Sequence, residues 1–207
     1  MSETKIKICG LTRIQDIEFV NEALPDYIGF VFAKSRRQVD LATAVQLKNA
    51  LDRRIKSVGV FVNERINVVI DLCKNGVIDY IQLHGDEDKE YILNLRGQVN
   101  NQIIKAVRVE NSDTLKAAQK FPCDFLLLDS YSNKEYGGTG KAFNWNWIKK
   151  LDKPFFLAGG IDLKNAKLAI KIAQPYCLDI SSGVETNGLK DRNKIKHLIH
   201  LVRGYCE

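Results

Sequence analysis

Residues 154–184 read PFFLAGGIDLKNAKLAIKIAQPYCLDISSGV and hold one full repeat of the pattern that decides the fold. The stretch opens with an apolar strand candidate at 154–158 that stops at Gly159-Gly160. Ala166, Ile170 and Ala173 follow at four- and three-residue spacing, as on one face of a helix. A second apolar run at 177–181 then leads into Ser181-Ser182-Gly183-Val184. Strand, helix and strand in that order make a parallel unit, because only a crossover connection returns the chain to the same edge.

The same alternation extends outward in both directions. Strand candidates lie at 5–9, 27–32, 57–62, 80–83, 103–109, 125–129, 154–158 and 177–181. Each is short and apolar, and most are rich in β-branched or aromatic residues, the composition of buried parallel strands. Helical patterns separate them, as with Ile14, Ile17 and Val20 or Val68, Leu72 and Cys73; the shortest covers 112–120. Thr12 and Gln15 have the spacing of a capping box at the first helix start. Eight such units of roughly 25 residues match a closed (β/α)8 barrel. An open doubly wound sheet, with about five or six strands, would leave segments over. The expectation is an α/β fold, one TIM-barrel domain over residues 1–207, with its chemistry at the C-terminal ends of the strands.

Composition narrows the class. The chain has 207 residues, 45% of them apolar and 27% charged, which is ordinary globular usage rather than disorder. Its longest apolar runs, 27–33 and 154–161, fall well short of the roughly 20 residues that span a bilayer. The start, MSETKIKICG, lacks a secretory pattern. A cytoplasmic protein without membrane association is expected. The five cysteines (Cys9, Cys73, Cys123, Cys177 and Cys206) are scattered and never form C-x-x-C, so neither a disulfide framework nor a zinc ribbon follows. His197 and His200 lack a nearby carboxylate cluster and read as histidines near a helix C-terminus, so no metal is expected. The net charge of +6 is spread along the chain. It marks no nucleic-acid surface, and a mild positive field suits a small anionic substrate.

The strand ends carry the chemistry. Lys7 and Cys9 share a face of the first strand, and an ammonium beside a thiol would favour the thiolate; the bland alternative is a buried, inert cysteine. Asp129 closes the apolar run Leu126-Leu127-Leu128, where a carboxylate is costly without a partner or a task. A salt bridge, with Lys7 for instance, would serve as well as catalysis. Gln82 and His84 alternate onto one face of the fourth strand and either line the mouth or satisfy each other. The turn Ala33-Lys34-Ser35-Arg36-Arg37 is either a solvated charge run or a fork for a carboxylate. Most specific are Gly159-Gly160 after strand seven and Asp179-Ile180-Ser181-Ser182-Gly183 in strand eight and its turn. Loops at these two places commonly form a phosphate site, with glycines admitting phosphate oxygens to backbone N–H groups and serines adding donors. Tyr136-Gly137-Gly138-Thr139-Gly140-Lys141-Ala142 fails as a nucleotide P-loop, since Glu135 and Ala142 replace required residues. It reads as a lid.

Taken in order, Lys7-Ile8-Cys9-Gly10-Leu11-Thr12, Gly29-Phe30-Val31-Phe32, Gly59-Val60-Phe61-Val62-Asn63, Gln82-Leu83-His84-Gly85, Leu128-Asp129, 136–141, Ala158-Gly159-Gly160 and 179–185 resemble the phosphoribosylanthranilate isomerases over nearly the whole chain. The resemblance implies an Amadori rearrangement in tryptophan biosynthesis, with Cys9 as general base and Asp129 as general acid. It implies that Arg37 holds the anthranilate carboxylate and that the glycine and serine turns hold the phosphate. Lys7, Gln82, His84 and Asp179 complete the expected substrate surroundings. Gln38 stands where the family usually has an aromatic residue. No cofactor or metal is implied, and the partner is a small phosphorylated molecule, the protein being a monomer or homodimer. The rivals are another phosphosugar isomerase or epimerase barrel, and a barrel that only binds a phosphorylated ligand.

Overall fold

The computed structural model describes residues 3–130, 145–148 and 151–204. Eight parallel strands close into a barrel in chain order: β1 (Lys5–Cys9), β2 (Tyr27–Val31), β3 (Lys56–Phe61), β4 (Tyr80–Leu83), β5 (Gln102–Val109), β6 (Phe125–Ser130), β7 (Phe155–Leu157) and β8 (Cys177–Ile180). Helices α1 (Ile14–Ala23), α2 (Leu41–Ala50), α3 (Ile66–Lys74), α4 (Lys89–Arg96) and α5 (Ser112–Ala118) follow the first five strands. A 3-10 turn at Trp145–Ile148 precedes β7, α6 (Ala166–Ala173) follows it, and α7 (Arg192–Arg203) ends the described chain. The residues of the expected lid lie outside the described segments, apart from the loop's base at β6.

Alternation along the strands separates two cores. In β1, Ile6 and Ile8 face outward and pack with Ile17 and Val20 of α1 and Leu198 and Val202 of α7. Lys7 and Cys9 take the other face and point into the barrel. Inside, Tyr27, Val58, Ile104, Phe125, Leu127, Phe156 and Cys177 fill the interior. The first residues of β2, β4 and β6 are aromatic, and Tyr27, Tyr80, Phe125, Phe156 and Tyr176 meet at centroid distances of 5.0–6.4 Å. These rings close the end where the strands begin. Polar inward residues therefore gather toward the opposite end, where the strands finish.

α1 starts differently from the expected box. The Asp16 carboxylate, inside the first turn, accepts the backbone N–H groups of Thr12 at 2.9 Å and Arg13 at 3.1 Å. A negative charge there also offsets the helix dipole, which neutral Gln15 cannot do.

Candidate active site

Inward residues at or near the ends of β1, β4, β6 and β8 build the mouth. Lys7 is wholly buried, and an unpaired ammonium there would be prohibitive. Parallel register puts it opposite Asp179, and Lys7 Nζ bonds Asp179 Oδ2 at 2.9 Å and Gln82 Oε1 at 2.7 Å. Burial works against this charge, but the charge and hydrogen bond of Asp179 counter it, and the Lys7 pKa is raised. Gln82 Nε2 continues to His84 Nδ1 at 2.8 Å, and His84 Nε2 stands 3.4 Å from Asp129 Oδ2. Asp129 therefore meets His84, and Lys7 is committed to Asp179. Asp179 Oδ1 is buried and has no hydrogen-bond partner among the described residues.

Cys9 ends β1 opposite Gly29. A Cβ on Gly29 would lie 2.6 Å from Cys9 Sγ, so the glycine makes the room that the thiol occupies. The expected thiolate is not the resting form. Burial pushes the Cys9 thiol up, and although Lys7 and Lys190 pull it down, the pKa stays above its ordinary value. Desolvation outweighs Lys7 because that ammonium is already neutralised by Asp179.

A second network covers the rim. Glu185 is buried and accepts Arg37 Nε at 2.8 Å and Nη2 at 3.0 Å, Arg36 Nη2 at 2.8 Å and Lys190 Nζ at 2.7 Å. Burial disfavours its charge, but Arg37 and Lys190 hold the carboxyl down at about 2. Lys190 also donates to the Ser181 carbonyl at 3.0 Å, while Ser181 Oγ donates to the Cys9 carbonyl at 3.0 Å. The rim and the thiol are thereby tied together. The two arginines differ: Arg37 lies over Gly10, where a Cβ would meet its Cδ at 2.3 Å, whereas the Arg36 side chain is 58% exposed and reaches toward Gly188.

The β7 and β8 turns come together. Gly159 and Gly160 have φ of +87° and +70°, a region that disfavours any side chain. A Cβ on Gly183 would lie 2.0 Å from the Ile161 carbonyl oxygen, so the two turns touch backbone to backbone. Ser182 is exposed at the start of a 3-10 turn, Ser182–Val184.

Glu185 and Lys190 carry roles that the reading of isolated strand ends misses. They face each other across a two-stranded hairpin, Glu185–Thr186 with Leu189–Lys190. Its turn is Asn187-Gly188, both with positive φ. An Asn-Gly pair is the strongest short signal for such a hairpin, and it would have set 185 opposite 190. Among the described residues no cluster of His, Cys, Asp and Glu could hold a metal ion, and no helix is long and apolar enough to cross a membrane.

Eight parallel strands closed into a barrel, with polar side chains gathered at the strand ends and glycine turns after β7 and β8, define a (β/α)8-barrel protein. Residues 6–201 match the family model described as N-(5'phosphoribosyl)anthranilate (PRA) isomerase. A relative from Endomicrobium trichonymphae, named N-(5'-phosphoribosyl)anthranilate isomerase, is 51% identical over 97% of this chain and 98% of its own. One of the same name from Thermoanaerobacter pseudethanolicus is 46% identical over the same shares. The crystal structure of phosphoribosyl anthranilate isomerase from Thermotoga maritima superposes with a TM-score of 0.87 at 35% identity, covering 97% of this chain and 99% of that one. A structure of the isomerase in complex with reduced 1-(o-carboxyphenylamino)-1-deoxyribulose 5-phosphate gives 0.84 at 31% identity over the same shares. The chain belongs to the N-(5'-phosphoribosyl)anthranilate isomerase family.

Proposed function

We propose that this barrel isomerises N-(5'-phosphoribosyl)anthranilate to 1-(2-carboxyphenylamino)-1-deoxyribulose 5-phosphate in tryptophan biosynthesis, with Asp129 as acid and Cys9 as base. The observation that carries the residue assignment is the order of strands round the mouth. β7 and β8, with their glycine and serine turns, stand between the strand bearing Asp129 and the strand bearing Cys9. A phosphate held at Gly159, Gly160, Ser181, Ser182 and Gly183 would set the sugar between acid and base. Arg37, packed over the mouth, would hold the anthranilate carboxylate at the other end, turning binding into orientation. Asp179, Lys7, Gln82 and His84 would complete the polar wall.

Asp129 gives a proton to the ribose ring oxygen, the ring C1–O bond breaks, and the amine lone pair forms a C=N bond. The resulting iminium is a cation, and a nearby cation favours the Cys9 thiolate at the stage that needs a base. The thiolate takes the proton from C2, and the enolamine tautomerises to the ketone. Because burial favours the thiol, the Cys9 thiolate is a minor form of the resting site. The proposal covers one catalytic domain that is cytoplasmic, needs no cofactor or metal, and works as a monomer or homodimer.

The test is turnover of freshly generated substrate, followed by loss of anthranilate-type fluorescence, for wild type and Arg37→Ala. Wild type should turn over, and the variant should show a KM raised roughly 10- to 100-fold, the worth of a charge-assisted pair. No turnover by folded wild type would sink the reaction. An unchanged KM would move the carboxylate site to Arg36.

A further inference from the structure

His84 has partners whose own chemistry decides where its proton sits. Lys7 Nζ has only donors, so the atom of Gln82 that it meets at 2.7 Å must be the carbonyl oxygen. That fixes the amide, with Nε2 turned to His84 Nδ1 at 2.8 Å. An amide N–H can only donate, so Nδ1 is the acceptor. A neutral imidazole carries one N–H, which is then on Nε2, the nitrogen facing Asp129 Oδ2 at 3.4 Å. Donation runs one way from Lys7, which is buried and held on its other side by Asp179 at 2.9 Å. It passes through Gln82 and His84 toward Asp129.

We propose that Gln82 locks His84 as the neutral Nε2–H tautomer, and that this N–H positions Asp129 and steadies the carboxylate it becomes after giving up its proton. The proposal rests on the acid role assigned to Asp129 and deepens it. Gln82 and His84 act here as positioning residues, through Asp129 rather than on the substrate. When the O–H bond of the Asp129 acid breaks and one forms on the ring oxygen, Asp129 gains a full negative charge while His84 keeps its proton. A charged acceptor draws a donor to about 2.8 Å, so the present 3.4 Å gap closes as the charge appears. Catalytic hydrogen bonds are commonly long before substrate binds.

The lock leaves Nδ1 facing a donor, the Gln82 amide. An imidazolium beside Asp129 would favour the carboxylate before the reaction, leaving an acid already spent. Lys7 on β1 is one amide away, and Arg108 on β5 is the register partner of Asp129. Lys105, also on β5, bonds the Gly85 carbonyl at 2.6 Å and Glu87 at 2.9 Å. Of the acidic neighbours, Glu87 is thus paired with Lys105, and Asp86 faces Asn63 at 3.3 Å. Asp129 is the carboxyl that His84 faces directly.

The test reverses the polarity of the chain. Gln82→Glu keeps the shape and still accepts from Lys7, but it can only accept from His84, which forces a proton onto Nδ1. Nitrogen-15 NMR of the full protein at pH ~8, above the ordinary histidine pKa of about 6.5, with His84 assigned by its loss in His84→Leu, should show Nε2–H in wild type. The variant should show a protonated Nδ1, with kcat down roughly 10- to 100-fold and KM little changed. If Gln82→Glu fails to fold, His84→Gln should retain more kcat than His84→Leu, because its amide can still donate to Asp129. Overturning results would be Nδ1–H in wild type, wild-type kcat in folded Gln82→Glu, or equal kcat in the two His84 variants. A wild-type protein with the Nε2–H signature and no turnover would support the lock and overturn the reaction assigned to the site.

Discussion

Replacing Lys7 by Met tests how the interior holds its charge. Met matches the length and apolar stem of the lysine but brings no ammonium, so packing changes little. The Asp179 carboxylate would lose the bond at 2.9 Å to Oδ2, and its Oδ1 already has no partner among the described residues. Gln82 would lose the donor at 2.7 Å to Oε1. Breaking a buried ion pair from one side costs about 3–5 kcal/mol. For a barrel of this size each kcal/mol lowers Tm by about 2–4 °C, so Lys7→Met should melt roughly 6–20 °C below wild type. Thermal and urea unfolding followed by circular dichroism would measure this. Most of the cost lies in the stranded carboxylate, so adding Asp179→Asn should recover part of it, and the double variant should cost at least ~2 kcal/mol less than the sum of the singles. A loss under about 1 kcal/mol, or simple additivity, would refute the view that Lys7 and Asp179 exist for each other.

Three further outcomes follow from the site. Gly29→Ala would put a methyl 2.6 Å from Cys9 Sγ and 3.2 Å from its Cα; displacing the thiol should lower kcat at least ~10-fold in steady-state assays while KM stays within about twofold. Burial raises the Cys9 thiol above its ordinary value of 9.0, so the iodoacetamide reactivity lost in Cys9→Ala should still be climbing at pH ~9 in free enzyme, and a plateau by pH ~8 would contradict this. Glu185 has a depressed folded pKa, so its stabilising effect is fully present above the ordinary 4.5 and is lost as pH falls toward about 2. Acid unfolding should therefore lose on the order of 3 kcal/mol across that window through Glu185. Wild type and Glu185→Gln should converge in stability at its lower end.

Much of this site could be read from the chain because strands impose a period of two. Once 5–9 is a strand, Lys7 and Cys9 must share a face. Likewise Gln82 and His84 must share one, and Asp129 must stand at a strand end. What resisted reading depends on who meets whom. Lys7 had a plausible partner in Asp129, but the register of β1 with β8 delivers it to Asp179 instead. The same pairing spends the charge that was expected to generate a thiolate at Cys9, and burial then decides the outcome. Glu185 meets Arg37 across 148 residues of sequence, a contact no local pattern announces, although the Asn187-Gly188 hairpin that presents it was open to reading. At the start of α1, Asp16 outcompetes Gln15 through its charge, a local choice that spacing alone leaves undecided.

The roles of Cys9 and Asp129 are separated by single-turnover conversion of freshly generated phosphoribosylanthranilate by wild type, Cys9→Ala and Asp129→Asn, each shown to be folded. Wild type should show a rapid fluorescence loss, and each variant a rate lower by roughly 10²–10⁴, the usual worth of a general base or acid. A wild-type rate in either variant would contradict this, and would send the proton transfer to another residue of the mouth.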